Sequence, residues 1–117
     1  MYSPKEIVLV SCPYTDDFSI SKLRPLLVLS KDEHNTKEKR LFGLVITSSA
    51  NMANPKSENT FEIKQSFLKM NKLQKQSFVL ADMPYATFEN QVKYKIDVIS
   101  QEFFDKIVDK FIENIGE

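Results

Sequence analysis

Pro25-Leu26-Leu27-Val28-Leu29 is the stretch that decides the fold: a short, branched apolar run opened by a proline. It reads as a buried strand, with the proline at the strand's first residue, where a missing N–H is tolerated. Toward the N-terminus, Ile7-Val8-Leu9-Val10 is a second run of the same kind, ended by Pro13. Toward the C-terminus, Leu41-Phe42-Gly43-Leu44-Val45-Ile46-Thr47 is a third. Thr60-Phe61-Glu62-Ile63 alternates and predicts a half-exposed strand, and Ser77–Asp82 and Val92–Ile96 complete the set. Only the end of the chain has helical spacing, in Phe103, Phe104, Ile107, Val108, Phe111, Ile112 and Ile115. Ser100 suits the N-cap and Gly116 the stop. Strands this closely spaced leave no room for crossover helices, so the expected fold is one mainly β domain over residues 1–117, with a largely antiparallel sheet and a docked C-terminal helix.

Composition narrows the chemistry. With two glycines, five prolines, nine Phe and four Tyr in 117 residues, the chain is neither collagen-like nor disordered. One cysteine and one histidine exclude an internal disulfide framework, a Cys/His zinc site and a two-histidine acid–base pair. Neither a metal nor a cofactor is expected. No run approaches the roughly 18 apolar residues of a membrane span, and the first residues lack a signal peptide's apolar stretch. The expectation is a soluble cytoplasmic protein without a membrane partner. Net charge is zero, yet residues 1–95 carry 14 basic and 10 acidic side chains, while residues 96–117 carry two lysines and six acids. Lys64, Lys69, Lys72 and Lys75 form a stretch without an acid, either a solvated face or a track for phosphates.

Two strand ends stand out. Arg24 precedes a proline, which restrains its backbone to extended conformations and fixes the origin of its guanidinium. It can meet a phosphate there, or pair with Asp16 or Asp17 of the preceding loop, which runs from Tyr14 to Lys22. Thr47-Ser48-Ser49 puts three hydroxyls where a buried strand meets a loop; they can donate to phosphate oxygens or cap the loop by bonding nearby backbone. His34 lies in a polar stretch expected as a solvated turn, and Cys12 reads as a small buried apolar residue.

In combination, Glu6–Val10, Pro13-Tyr14-Thr15-Asp16, Ser21–Ser30 and Leu44–Ser49 resemble the MazF/PemK family of toxin–antitoxin toxins, and Leu73–Asp82 continues the match. The resemblance covers nearly the whole chain. Its most specific element is the arginine-proline of Arg24-Pro25 together with the strand-end Thr47. It implies a small antiparallel Src-homology-3-like barrel of the MazF/PemK/CcdB type that forms a homodimer. It also implies a metal-independent endoribonuclease, or mRNA interferase, that inhibits growth by cutting single-stranded mRNA. Catalytic weight falls on Arg24 and Thr47, and in some branches on an acid matching Asp82. The partner it implies is a cognate antitoxin with a disordered acidic inhibitory segment, which links the toxin only indirectly to DNA. Lys5 departs from the family's usual glycine, and Leu80 and Tyr85 replace basic residues that many members carry.

For such a cleavage the nucleophile is the substrate's own 2′-hydroxyl, already beside the phosphate, so no metal-activated water is needed. Arg24 suits the phosphorane, since its planar fork binds two oxygens at once. Thr47, backed by Ser48 or Ser49, adds a donor at a strand mouth expected to face solvent. Asp82 or Asp16 is the proton acceptor, because a guanidinium is a poor base. Tyr14, Phe18 or Tyr85 can stack on bases, or belong to the core; Lys22 and Lys75 can hold phosphates. Two alternatives remain in the same fold: a binding-only module without cleavage, and a gyrase-poison-type toxin, which needs no Arg24–Thr47 pair.

Overall fold

The computed structural model describes residues 2–13, 21–49, 53–73 and 75–116. Six strands form one antiparallel sheet in the order β4-β5-β3-β2-β1-β6. They are β1 (Glu6–Pro13), β2 (Ser21–Val28), β3 (Arg40–Thr47), β4 (Thr60–Glu62), β5 (Phe78–Phe88) and β6 (Val92–Val98). A short helix α1 (Asp32–Glu38) joins β2 to β3, and α2 (Gln101–Ile115) closes the chain. The two ends of the sheet approach each other just past β4 and β6, where Leu68 bridges Ile99 and the Lys69 N–H donates to the Val98 carbonyl at 2.9 Å. The architecture is the expected mostly antiparallel β fold with a C-terminal helix.

The central apolar runs are continuous rather than alternating because both faces of the sheet are covered. Ile7, Leu27, Leu44, Ile46 and Val79 pack with Ile99, Phe103 and Ile107 of the α2 side. Val8, Val10, Leu26, Val28, Leu41 and Val92 form a second cluster on the other face, with Tyr2 and Tyr85 against it. Helix α2 starts where expected: the Ser100 side chain accepts from the Phe103 N–H, and Phe103 stacks on Phe67 at 4.3 Å. Gly43 is required by a close approach, since a Cβ there would lie 1.9 Å from the Leu27 carbonyl oxygen.

Two local expectations are corrected. Pro25 is not the first residue of its strand: β2 begins at Ser21, and Pro25 pairs with Leu9 in mid-strand. It is tolerated because the ladder to β3 stops at Leu26↔Val45, one residue short of the missing N–H. The stretch around His34 is a helix, not a turn. It lacks an apolar period because Asn35 alone is buried in it, held by donating to the Tyr2 carbonyl at 2.7 Å and the Ser30 carbonyl at 3.0 Å. Asp97, one of the six acids of residues 96–117, is fully buried.

Candidate functional site

Beyond Leu26↔Val45, β2 and β3 carry Arg24 and Thr47 out to the wall of one cavity of about 730 Å³. Arg24 is half-buried in β2, and no carboxylate among the described residues pairs with it. Thr47 does not face solvent as expected: it is 4% exposed. Its Oγ1 accepts from the Ser49 N–H at 3.0 Å, so the hydroxyl does cap the loop. A hydroxyl has one donor and two lone pairs, so this cap and a donated bond to a ligand are compatible. Ser48 and Ser49 line the cavity next to it.

Facing residues come from elsewhere in the chain. Lys22, Lys72, Lys75 and Lys95 line the same cavity, with Tyr94 and Ser77. Together with Arg24 they give the lining five cations, and among the described residues no carboxylate lines it. Lys95 is shared with Glu6, 3.5 Å away at the surface, a solvent-screened pair of small energy. A basic hollow with hydroxyl donors and no carboxylate among its described lining residues has the charge and donors that suit phosphate oxygens.

Of the residues singled out in the sequence, Lys22, Arg24, Thr47, Ser48, Ser49 and Lys75 meet in this cavity. Asp82 and Tyr85 stand outside the lining. Thr47 is paired with Phe78, and Asp82 lies four residues further along β5, about 13 Å away. Tyr85 is half-buried against the second apolar cluster. Tyr14 and Asp16 lie outside the described residues, as do Asp17 and Phe18. Lys72 was legible only as a member of a lysine run, and Tyr94 and Lys95 not at all. Their signal is in the register, which sets Tyr94 beside Leu9 and Leu9 beside Pro25.

A sequence profile described as the PemK-like, MazF-like toxin of type II toxin-antitoxin system matches residues 3–115. The chain belongs to this toxin family. No curated protein matches it in sequence. Among solved structures, an endoribonuclease in complex with its cognate antitoxin from a Mycobacterial species is similar at 12% identity, with a TM-score of 0.78 over 99% of this chain and 96% of that one. MazF of Deinococcus radiodurans in its MazE–MazF complex is 15% identical, with a TM-score of 0.75 over 96% and 94% of the two chains. The same organism's MazF in a structure without MazE is 21% identical over 100% of both chains, with a TM-score of 0.64. At these identities the likeness is one of fold.

Family membership gives Lys5 a physical meaning. Its φ is 75°, in the left-handed region that glycine enters without penalty, so this toxin carries a side chain where the backbone favours none. No helix among the described residues is long and apolar enough to cross a membrane.

Proposed function

We propose that this chain is the endoribonuclease of a toxin–antitoxin pair, cutting single-stranded mRNA in the cavity between Arg24, Thr47 and the lysines. The observation that carries the reading is the convergence of Arg24, Thr47 and four lysines on one hollow whose described lining holds no carboxylate. The 2′-oxygen attacks the adjacent phosphorus, the P–O5′ bond breaks, and a 2′,3′-cyclic phosphate and a free 5′-hydroxyl result. Arg24 holds two non-bridging oxygens as charge builds on phosphorus, and Thr47 with Ser48 or Ser49 adds a hydroxyl donor. The 2′-hydroxyl proton goes to a carboxylate that the described lining does not supply; Asp82 stands too far along β5 to take it directly, which leaves Asp16 as the candidate, and the departing 5′-oxygen takes up a proton from water. Because the nucleophile belongs to the substrate, the step needs no metal-bound water.

The same charge pattern suits an inhibitor. An acidic, initially disordered antitoxin segment competes for Arg24 and the lysines while apolar side chains dock beside them, so its binding weakens with salt without vanishing. A homodimer completes the proposal. Phe42 and Phe88 are exposed diagonal neighbours on β3 and β5, apolar area that a second copy would cover.

The decisive assay is cleavage of one RNA in excess EDTA, with end-group analysis and a matched RNA carrying deoxyribose at a single linkage. Cyclic-phosphate ends and loss of cutting at the substituted linkage alone are expected. Activity abolished by EDTA, or cutting at the deoxyribose linkage, would overturn the mechanism. The position of Asp82 outside the lining favours one competitor, a binding-only member, which would hold the RNA and leave it intact.

A further inference from the structure

A buried acid sits directly behind the basic cavity. Asp97 is the penultimate residue of β6, two residues after Lys95, and it is fully buried. A register shift between Ile7 and Val8 brings Asp97 level with Ile7, while Lys95 pairs with Val8 and lines the cavity. The Asp97 carboxylate accepts from the backbone N–H groups of Met70 at 2.9 Å, Lys72 at 2.8 Å and Val98 at 2.8 Å. Asn71 adopts a left-handed conformation, φ 54°, so the chain curls around the carboxylate as a nest of amides around an anion. Burial would push the carboxyl up, but donation from the amides of Lys72, Met70, Val98 and Leu73 outweighs it and holds the group below its ordinary value. It is therefore charged when the protein works.

Lys72 is exposed on this curl, and Lys72 and Leu73 line the cavity. The loop from Lys69 to Leu73 has no regular element of its own. Its backbone is tied to β6 by the Asp97 carboxylate and by the Lys69 N–H to the Val98 carbonyl. We propose that Asp97 is a positioning residue for RNA binding, an anion that strengthens the capture of another anion by fixing Lys72 in the wall of the cavity. The proposal rests on the RNA reading for its ligand.

The sign of the effect separates this role from simple charge. Removing a negative group near a basic cavity would, by Coulomb attraction alone, tighten polyanion binding. Removing a clamp should loosen it. The probe is a labelled single-stranded oligodeoxynucleotide of mixed sequence, which lacks the 2′-hydroxyl and stays intact. Its affinity is measured over a series of salt concentrations for the parent, Asp97→Asn, Lys72→Ala and the double variant. Each single variant should weaken binding and lower the slope of log K against log salt by about 0.7, the loss of one phosphate contact on a single strand. The double variant should be no weaker than Lys72→Ala alone. Asn71→Pro cannot hold a positive φ, so it should unwind the curl from its exposed side and repeat the loss. That variant decides the matter if Asp97→Asn does not fold.

Tighter or unchanged binding in Asp97→Asn or Asn71→Pro while Lys72→Ala weakens it, or losses that add in the double variant, would overturn the proposal. So would an unchanged affinity in Lys72→Ala. If the parent itself does not bind the oligonucleotide, the RNA reading falls first and the positioning role with it. A parent that binds but does not cleave RNA leaves the positioning role standing and removes only the nuclease.

Discussion

The two walls of the cavity are made in different ways. Arg24 and Thr47 stand on neighbouring strands whose pairing is set by the apolar runs around them and by the absence of a side chain at Gly43. Lys72, Tyr94 and Lys95 come from distant parts of the chain, and the Lys72 segment keeps its shape by hydrogen bonds to Asp97 and Val98. The first wall is a backbone frame with side chains at its end. The second is assembled by tertiary contacts. Strand-set geometry suits charge placed at one phosphorus, where small displacements cost rate. A loop-borne lysine suits the longer and less exacting grip on a strand of phosphates.

The harshest way to break the contrast is from behind the first wall. Gly43→Ala puts a methyl against the Leu27 carbonyl and must prise β3 from β2. We expect a loss on the order of 4–5 kcal/mol, most of a small domain's stability, seen as a collapse of the urea midpoint.

Next comes the end of that frame. Arg24→Ala should lower cleavage about 10²–10³-fold with the circular dichroism spectrum unchanged, and Arg24→Lys should recover little, because an ammonium lacks the fork. Thr47→Val should also lose activity and Thr47→Ser little. Since Thr47 is buried and caps Ser49, Thr47→Val should cost some stability as well, which a solvent-facing threonine would not. Parent-like rates in both Arg24→Ala and Thr47→Val would remove the catalytic role from this wall.

The second wall should be the more acid-sensitive. The Asp97 carboxyl lies below its ordinary value of 3.8 in the folded chain, so on acidification the unfolded chain takes up this proton first. The stability it contributes is present above about that pH and is lost as pH falls through the folded-state value. Urea midpoints of the parent and Asp97→Asn should therefore differ at neutral pH, begin to approach each other near 3.8 and converge as pH falls further through the folded-state value. A constant difference would mean that the charge is not what holds the loop.

The smallest effect sharpens the comparison by touching neither wall. Lys5→Gly relieves a left-handed residue at the start of β1 and should raise stability by about 1 kcal/mol. It gives up only an exposed bond to Gln101, so cleavage should not change.

How much was legible follows the same division. The strands of the sheet, helix α2 with its Ser100 cap and the Arg24–Thr47 wall could be read because each is written in adjacent residues: apolar runs, helical spacing, a proline after an arginine. Helix α1 was missed because Asn35, and no apolar stripe, anchors it. Pro25 was placed at a strand start because its tolerance depends on where β3 stops, which the sequence around Pro25 does not state. Tyr94 and Lys95 were missed because β1 and β6 are far apart in the sequence, and Asp97 was not singled out because nothing local tells a buried carboxylate from a solvated one.

Glu6 pairs with Val98, so the first strand waits for the last before its free edge is covered. A polypeptide is made from its N-terminus, and contacts this remote in sequence form late. Residues 92–98 supply the edge strand, the tyrosine and lysine of the cavity, and the acid that secures the lysine loop. During synthesis the hollow therefore exists only after residues 92–98 have been made. A chain interrupted before β6 has its arginine and its threonine, and an opposite side reduced to a lysine loop without the acid that ties it down.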